Sequence, residues 1–302
     1  MIEIQYHAPR TLDDAVGLLR EHGRRARVLA GGTDLIVQLR ENTLARRLGG
    51  DGREPPPDTI IDGKRIRELN ELSLDPRGGL VVGAAVACSR IYEHEEIARR
   101  YPALIDAAAL IGSIQIQNRA SLGGNLCNAS PAADGIPPLI VHRATCRIAG
   151  PRGERRLPVE EFCTAPGRTA LAPDELLVAI EIRPPPPRSA ARYERFIPRN
   201  EMDIAVAGAA SWIELEPDLE TIRDARIALA AVAPTPLLAG DAARALLGKK
   251  AGREAFAAAA EAARSAAQPI SDLRGEAWQR THLAGVLVER TLEAALDRAR
   301  RS

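Results

Sequence analysis

The stretch Ser121–Gly135, SLGGNLCNASPAADG, holds three Gly, three Ala, two Ser and two Asn, with Asp134 as its only carboxylate. No acid–base pair lies within it. Side chains this small let the main chain come close to a group that carries its own reactivity. Ser121, Gly123, Gly124 and Asn125 present main-chain N–H groups beside short polar side chains, and Asn128 and Ser130 extend that polar edge. Asp134 supplies an acceptor for ribose or ribityl hydroxyls, a pairing that needs no change of protonation.

A second motif, Ala30-Gly31-Gly32-Thr33-Asp34-Leu35, follows the apolar run RVLA and precedes the helix-like LIVQLREN. A strand that ends in two glycines and enters a helix aims several N–H groups one way, and the helix dipole adds positive potential there. That geometry suits a phosphate or pyrophosphate. The motif is neither a Walker A loop nor a G-x-G-x-x-G turn. Taken singly, Gly31-Gly32 also reads as a tight turn and SLGGN as a bulged strand. Two such loops, far apart in sequence, suit the two halves of one dinucleotide.

The elements that position these loops read as a mixture of strands and helices. A short strand with Ile2 and Ile4 precedes a helix capped by Thr11, with Leu12, Ala15, Val16 and Leu19 on one face and Gly23 as its stop. The RVLA strand and the AGGTD turn follow, with Thr33 as the expected N-cap of the next helix. Arg47–Pro57 is a Gly/Pro-rich loop, and DTIID at 58–62 and LVVGAAV at 80–86 read as strands. One helix is expected from a Ser89 cap to Arg100, and another over 103–111. TCRIAG and ERRLPV form a hairpin about Pro151–Gly153, and ELLVAIEI at 175–182 reads as a buried strand. The four prolines Pro184–Pro187 favour an extended connector, and a domain boundary is expected there. Beyond them come the strand-like YERFI, IAVAGAASWIEL and ARIALAAVA, then helical segments from about 237 onward, with Glu254–Ala267 rich in strong helix formers.

Composition narrows the function classes. Of 302 residues 45% are apolar, enough for more than one compact unit, and the net charge is +1. Balanced charge and 3% aromatics exclude a global footprint for nucleic acid or an anionic membrane. No apolar run has the length of a membrane span, and MIEIQYHAPR has no signal-peptide core, so the expected location is the cytoplasm. Cys88, Cys127, Cys146 and Cys163 form no C-x-x-C pair. With only His142 near Cys146, no local zinc or iron–sulfur site is expected, and buried free thiols are. Cys127 is read as filling space within the second loop.

LAGGTDLI at 29–36, GAAV at 83–86, IGSIQIQNRASLGGNLCNASPAAD at 111–134, ELLVAIEI at 175–182 and FIPRNEMDIAVAGAA at 196–210 occur in this order. The set resembles the FAD-binding (medium) subunit of the molybdenum hydroxylases, the family of carbon monoxide dehydrogenase, bacterial xanthine dehydrogenase and 4-hydroxybenzoyl-CoA reductase. The resemblance spans essentially the whole chain. It implies an α+β fold of the vanillyl-alcohol-oxidase-like (PCMH-type) class, with two α+β subdomains over 1–62 and 63–187 and a smaller α+β C-terminal domain over 188–302.

It also implies roles for particular residues. Leu29, Ala30, Gly31, Gly32, Thr33, Asp34 and Leu35 match the loop that wraps the FAD pyrophosphate. Ser121, Gly123, Gly124, Asn125 and Asn128 match the second loop, and Asp134 matches an acidic position facing cofactor hydroxyls. Ile111 and Gly112 fall where the family lines the cofactor cleft, Leu177 near the ring system and Arg195 near the flavin edge. Read from the residues alone, Ile111 and Leu177 are equally core positions, Arg195 a surface ion pair and Asp203 a strand-end cap. No cysteine-bearing insertion for an extra cluster is present, and no His or Cys is marked for covalent flavin attachment, so non-covalent FAD is expected.

The resemblance implies an electron-transfer subunit of a molybdenum hydroxylase. A large subunit holds molybdopterin, a small subunit holds the 2Fe–2S clusters, and the assembly is a dimer of heterotrimers. The flavin is the reactive group, so no catalytic side chain and no metal ligand are assigned to this chain. Two alternatives remain: a stand-alone flavin-dependent oxidase or dehydrogenase, and a non-redox nucleotide-binding protein. The first needs a substrate-facing base, and His7, His22, His94, His142 and His282 belong to no catalytic pattern.

Overall fold

Helix α1, Leu12–His22, shows how local chemistry sets the first elements. Thr11 caps it by accepting the Asp14 N–H at 3.1 Å, Asp13 and Asp14 sit in the first turn, and Arg20 and His22 sit in the last. All of these complement the helix dipole. Ala15, Val16 and Leu19 form its buried stripe, and Gly23 ends it with φ 54°. The computed structural model describes residues 4–40, 57–77, 79–199 and 202–302. The expected Gly/Pro-rich loop at Arg47–Pro57 lies almost wholly outside the described residues.

Three sheets carry the fold. In the first, β1 (Gln5–His7) and β2 (Ala26–Leu29) both run parallel to β3 (Thr59–Asp62), which lies between them and is buried along its length. The strand–helix–strand order is the expected one, but the first strand begins at Gln5: Ile4 lies before it and is exposed, and Ile2 lies outside the described residues. After β2 the chain turns through Gly31 and Gly32 into α2, which begins at 35. That start puts Asp34, not Thr33, at the N-cap position.

The second sheet is antiparallel, in the order β4 (Leu72–Leu74), β5 (Leu80–Gly83), β10, β6 (Thr145–Gly150), β7 (Gly153–Pro158). Its central strand β10, Leu176–Ile182, is buried on both faces, which is why ELLVAIEI reads as a continuous apolar run. The expected hairpin is β6–β7, paired from Thr145↔Pro158 to Gly150↔Gly153. A small hairpin, β8 (Cys163–Ala165) with β9 (Arg168–Thr169), sits beside it.

Between β5 and β6 run short helices: α3 (Cys88–Tyr92), α4 (Glu95–Arg100), α5 (Pro102–Ala108), α6 (Ile114–Gln117), α7 (Leu122–Asn128) and α8 (Ile136–Val141). Three expectations are corrected here. LVVGAAV is strand only to Gly83; a Cβ there would lie 2.5 Å from the Leu69 carbonyl oxygen, and beyond it Val86 N–H turns back to the Gly83 carbonyl. The single helix from Ser89 to Arg100 is two helices, and Ser89 lies inside the first. Ile91 and Ile97 are both fully buried, and six residues apart on one straight helix they would face different ways; the break re-aims them. SLGGN is the start of α7, neither an open loop nor a bulged strand.

The third sheet is antiparallel, in the order β11 (Ser189–Phe196), β12 (Ala207–Leu215), β13 (Ile222–Ala230), β14 (Leu237–Leu238). Helices α9 (Gly240–Arg244), α10 (Arg253–Ala266) and α11 (Ala277–Ala299) cover one face; α5 and α8 cover the other. Strand alternation divides the side chains between two cores. Ala190, Ala207, Ala209 and Ile213 join the core under α10 and α11. Ala191, Tyr193, Ala210 and Trp212 join the core of the preceding sheet. The four prolines lie in the short connection from β10 to β11.

Candidate functional site

Two adjoining cavities open along the seam between the first sheet, the second sheet and α7. The larger measures about 770 Å³ and the smaller about 320 Å³. They share Arg27, Val28, Ala30, Gly124, Cys127 and Gly167, so they form one elongated cleft with a waist. Leu29, Leu69, Ala84, Ala85, Leu176 and Leu177 give the larger cavity an apolar wall suited to a flat ring. Both glycine motifs meet at the smaller one: Ala30–Leu35 on one side, Ser121, Gly124, Asn125 and Asn128 on the other, with Ile111 beside them.

The four glycines of the two motifs serve three different purposes. A Cβ on Gly31 would lie 2.0 Å from the Arg119 carbonyl oxygen, and one on Gly123 would lie 2.5 Å from the Ala84 Cα. These two let chain segments touch each other. Gly32 has φ +81°, a left-handed turn conformation. Of these four, only Gly124 borders both cavities, and a Cβ there would meet Ser121 Oγ alone, at 3.0 Å. Gly124, with Gly167, which borders both cavities and where a Cβ would meet nothing within 4 Å, leaves the junction of the two cavities without side-chain bulk.

The N–H groups divide in the same way. Ser121 Oγ accepts the Gly124 N–H at 3.0 Å, and the Ser121 carbonyl accepts the Asn125 N–H at 2.9 Å. Those two donors, expected to face a ligand, are therefore spent on holding α7. Across the cleft, Ile36 N–H bonds the Gly32 carbonyl and Gln38 N–H the Asp34 carbonyl, each at 3.0 Å. The N–H groups of Gly32, Thr33 and Asp34 find no acceptor among the described residues. Gln38 Nε2 donates to Asn128 Oδ1 at 3.0 Å, tying α2 to α7 across the smaller cavity, and Gly135 N–H donates to Asn125 Oδ1 at 3.0 Å. Burial pushes the Asp34 carboxyl above its ordinary value.

Of the residues the resemblance assigned to the cofactor, Gly112, Asp134 and Arg195 stand away from the cavity walls. Gly112, at φ +65°, is a turn residue; a Cβ there would strike Ile116. Asp134 and Arg195 are brought to each other. Asp134 accepts from Arg195 Nη1 at 2.5 Å and from the Tyr193 hydroxyl at 2.6 Å, and the Asp134 and Arg195 side chains are 9% and 5% exposed. The carboxylate meets its own chain where the sequence suggested cofactor hydroxyls, and Arg195 is a buried pair, not a surface one. Burial pushes the Asp134 carboxyl up, against the pull of Arg195 and Tyr193, while burial and the adjacent carboxylate push Tyr193 well above the phenol range. Arg195 Nε remains buried without a partner. Asp203 accepts the Ile204 N–H at 2.9 Å just before β12, as a strand-end cap does.

Sequence reasoning missed Arg27, Gln38, Gly167 and Tyr193. Gly167 had a signal, the Pro-Gly dipeptide in APGRT, which marks a turn; its φ is +68° and its N–H bonds the Ala129 carbonyl at 3.0 Å. Cys127 opens to the cleft, but the crowded walls push its thiol up to about 12, leaving it protonated and a poor nucleophile. No histidine lines either cavity. Among the described residues no three His, Cys, Asp or Glu side chains gather as they would around a metal ion, and no helix is long and apolar enough to cross a membrane.

Comparison with known proteins gives this cleft a family. Residues 2–186 match the FAD binding domain in molybdopterin dehydrogenase, and residues 192–295 match the CO dehydrogenase flavoprotein C-terminal domain. The chain is 33% identical over 294 residues to the carbon monoxide dehydrogenase medium chain of Hydrogenophaga pseudoflava, covering 97% of each. It is 31% identical over 295 residues to the putative xanthine dehydrogenase FAD-binding subunit of Escherichia coli K12, covering 97% of this chain and 96% of that one. Its fold superposes on carbon monoxide dehydrogenase from H. pseudoflava with TM-score 0.88 at 34% identity over 98% of both chains. On quinoline 2-oxidoreductase from Pseudomonas putida 86 the TM-score is 0.85 at 29% identity, again over 98% of both. The chain belongs to the FAD-binding subunit family of the molybdenum hydroxylases, the molybdopterin dehydrogenases.

Proposed function

We propose that this chain is the FAD-carrying electron-transfer subunit of a multi-subunit molybdenum hydroxylase. The observation that carries the reading is the waisted cleft, where both glycine motifs converge and Gly124 leaves the junction of the two cavities open. When bound, FAD supplies the redox chemistry, taking electrons from the 2Fe–2S clusters of a small subunit and passing them to an external acceptor. The residues of this chain bind and orient. The Leu29–Leu177 wall of the larger cavity takes one ring system, and the unspent N–H groups of Gly32, Thr33 and Asp34 face the pyrophosphate in the smaller. Ser121, Asn125 and Asn128 hold α7 and α2 in register, Ile111 closes one side, and Asp134 with Arg195 braces the loop before α8 from behind.

The partners in this reading are a molybdopterin-binding large subunit and a 2Fe–2S small subunit, assembled as a dimer of heterotrimers in the cytoplasm, with residues 1–62, 63–187 and 188–302 as the three structural units. That the chain belongs to a family of dehydrogenase subunits supports it. The first test is the absorbance spectrum of the purified chain, followed by heat release and chromatography of the pigment. A two-band flavin spectrum with intact FAD released is expected. A folded, colourless chain that takes up no added FAD would overturn the reading.

A further inference from the structure

We infer that Arg27 is the side chain that answers the cofactor's pyrophosphate charge, an assignment that rests on the FAD reading above. Arg27 lies on the outward-facing edge of β2, three residues before the Ala30 turn, and borders both cavities at their waist. Among the described residues lining the smaller cavity it is the only cation; Arg24 and Arg168 border the larger cavity alone. The other charged group there is Asp34, an anion.

A pyrophosphate diester is doubly ionised at neutral pH. The start of α2 offers only about half an elementary charge, and it faces that ligand beside the Asp34 carboxylate. A partly desolvated anion with no cation close by is costly, so the charge balance of the smaller cavity calls for Arg27, the one cation among the described residues that line it.

The geometry of Arg27 fits that task. Its Nη1 donates to the main-chain carbonyls of Arg24 and Ala26, both at 2.8 Å, which pins the guanidinium against the strand. No carboxylate among the described residues pairs with it, and its remaining N–H groups have no partner there. A guanidinium fixed on one edge and free on the other is a pre-organised fork for phosphate oxygens, and little side-chain freedom is lost when it engages. The position escapes motif reading because it lies outside AGGTD, on a strand residue whose solvent-facing side is ordinarily any polar type.

The test is FAD affinity of the full chain, stripped of flavin and titrated by flavin fluorescence at low and at high salt. Arg27→Gln should raise Kd about tenfold to a hundredfold at low salt and flatten its dependence on salt, as expected for the loss of a charge-assisted contact. Arg27→Lys, which keeps the charge but not the fork, should recover most of the affinity. An unchanged Kd in Arg27→Gln, or an Arg27→Lys as weak as Arg27→Gln, would overturn the assignment. So would a matching drop in the Tm of both flavin-free variants, which would make Arg27 a brace for the turn before β2. If the unaltered chain binds no FAD at all, it is the FAD reading that falls.

Discussion

The candidate cofactor cleft and the seam that joins it to the C-terminal sheet are made of opposite materials. The cleft walls are rich in glycine, alanine and leucine, and they carry unspent main-chain N–H groups and Arg27, which pairs with no carboxylate among the described residues. The seam is a set of ion pairs made within the chain. Asp106 on α5 receives Arg298 from α11 at 2.8 and 3.0 Å, Arg192 from β11 at 3.0 Å and the Tyr193 N–H at 3.2 Å. Asp134 receives Arg195 and Tyr193, and Arg226 on β13 reaches Glu160 at 2.8 Å and the Ile140 carbonyl at 3.1 Å. A permanent contact satisfies its buried charges within the chain, because an unpaired one is costly. A binding site has to leave its donors open. The two regions lie a few residues apart in sequence around Asn128 and Asp134, so the change from one regime to the other is abrupt.

The contrast can be broken most sharply at the seam. Asp134→Ala strands Arg195 as a buried charge and should cost about 3–5 kcal/mol of folding stability in urea denaturation. A loss under about 1 kcal/mol would mean that the pair is solvated and that the seam is no different from the cleft. His142, at the end of α8 against the same sheet, probes the seam through pH. Burial pushes its imidazole down from the ordinary 6.5 to about 4, and its Nε2 has no partner. Between those values the unfolded chain binds a proton that the native chain refuses. Stability is therefore full above the unfolded value and falls as pH drops toward 4, by about 3 kcal/mol. Melting the protein from pH 7 to pH 4.5 should show that decline, and His142→Phe should flatten it; an unchanged slope in the variant would assign the decline to other groups. The smallest effect on stability is expected in the cleft. Gly124→Ala adds a methyl that meets only Ser121 Oγ and favours helix, so stability should move by less than about 1 kcal/mol. FAD affinity should nevertheless fall tenfold or more, because the methyl fills the waist. Wild-type FAD binding in that variant would show that the cofactor does not cross there.

Legibility followed the range of the interactions. The α1 cap, the β6–β7 hairpin and the buried β10 were readable because Thr11, the Pro151–Gly153 turn and the apolar run at 175–182 act on their neighbours. The α7 helix was not, since two glycines argue against helix by propensity; the Ser121 cap and the packing of Gly123 on Ala84 outweigh that preference. The break between α3 and α4 was set by two buried isoleucines whose common core is tertiary. At the site, the glycine motifs marked the cleft because small residues in clusters are unusual. Which glycine serves the ligand and which serves the chain depends on partners such as Arg119 and Ala84, and no local pattern announces those. Asp134 and Arg195 meet across 61 residues, so each was legible only as a charge in search of a partner.

The third sheet is buried on both faces, and its inner face shares one apolar core with the α5–α8 region. A domain attached by a proline connector would ordinarily be free to swing. Here any hinge-like opening at the connector would pull Tyr193 and Trp212 into water and part three sets of ion pairs at once. The third sheet and the α5–α8 region are therefore expected to move as one body, with adjustment confined to surface turns and side chains.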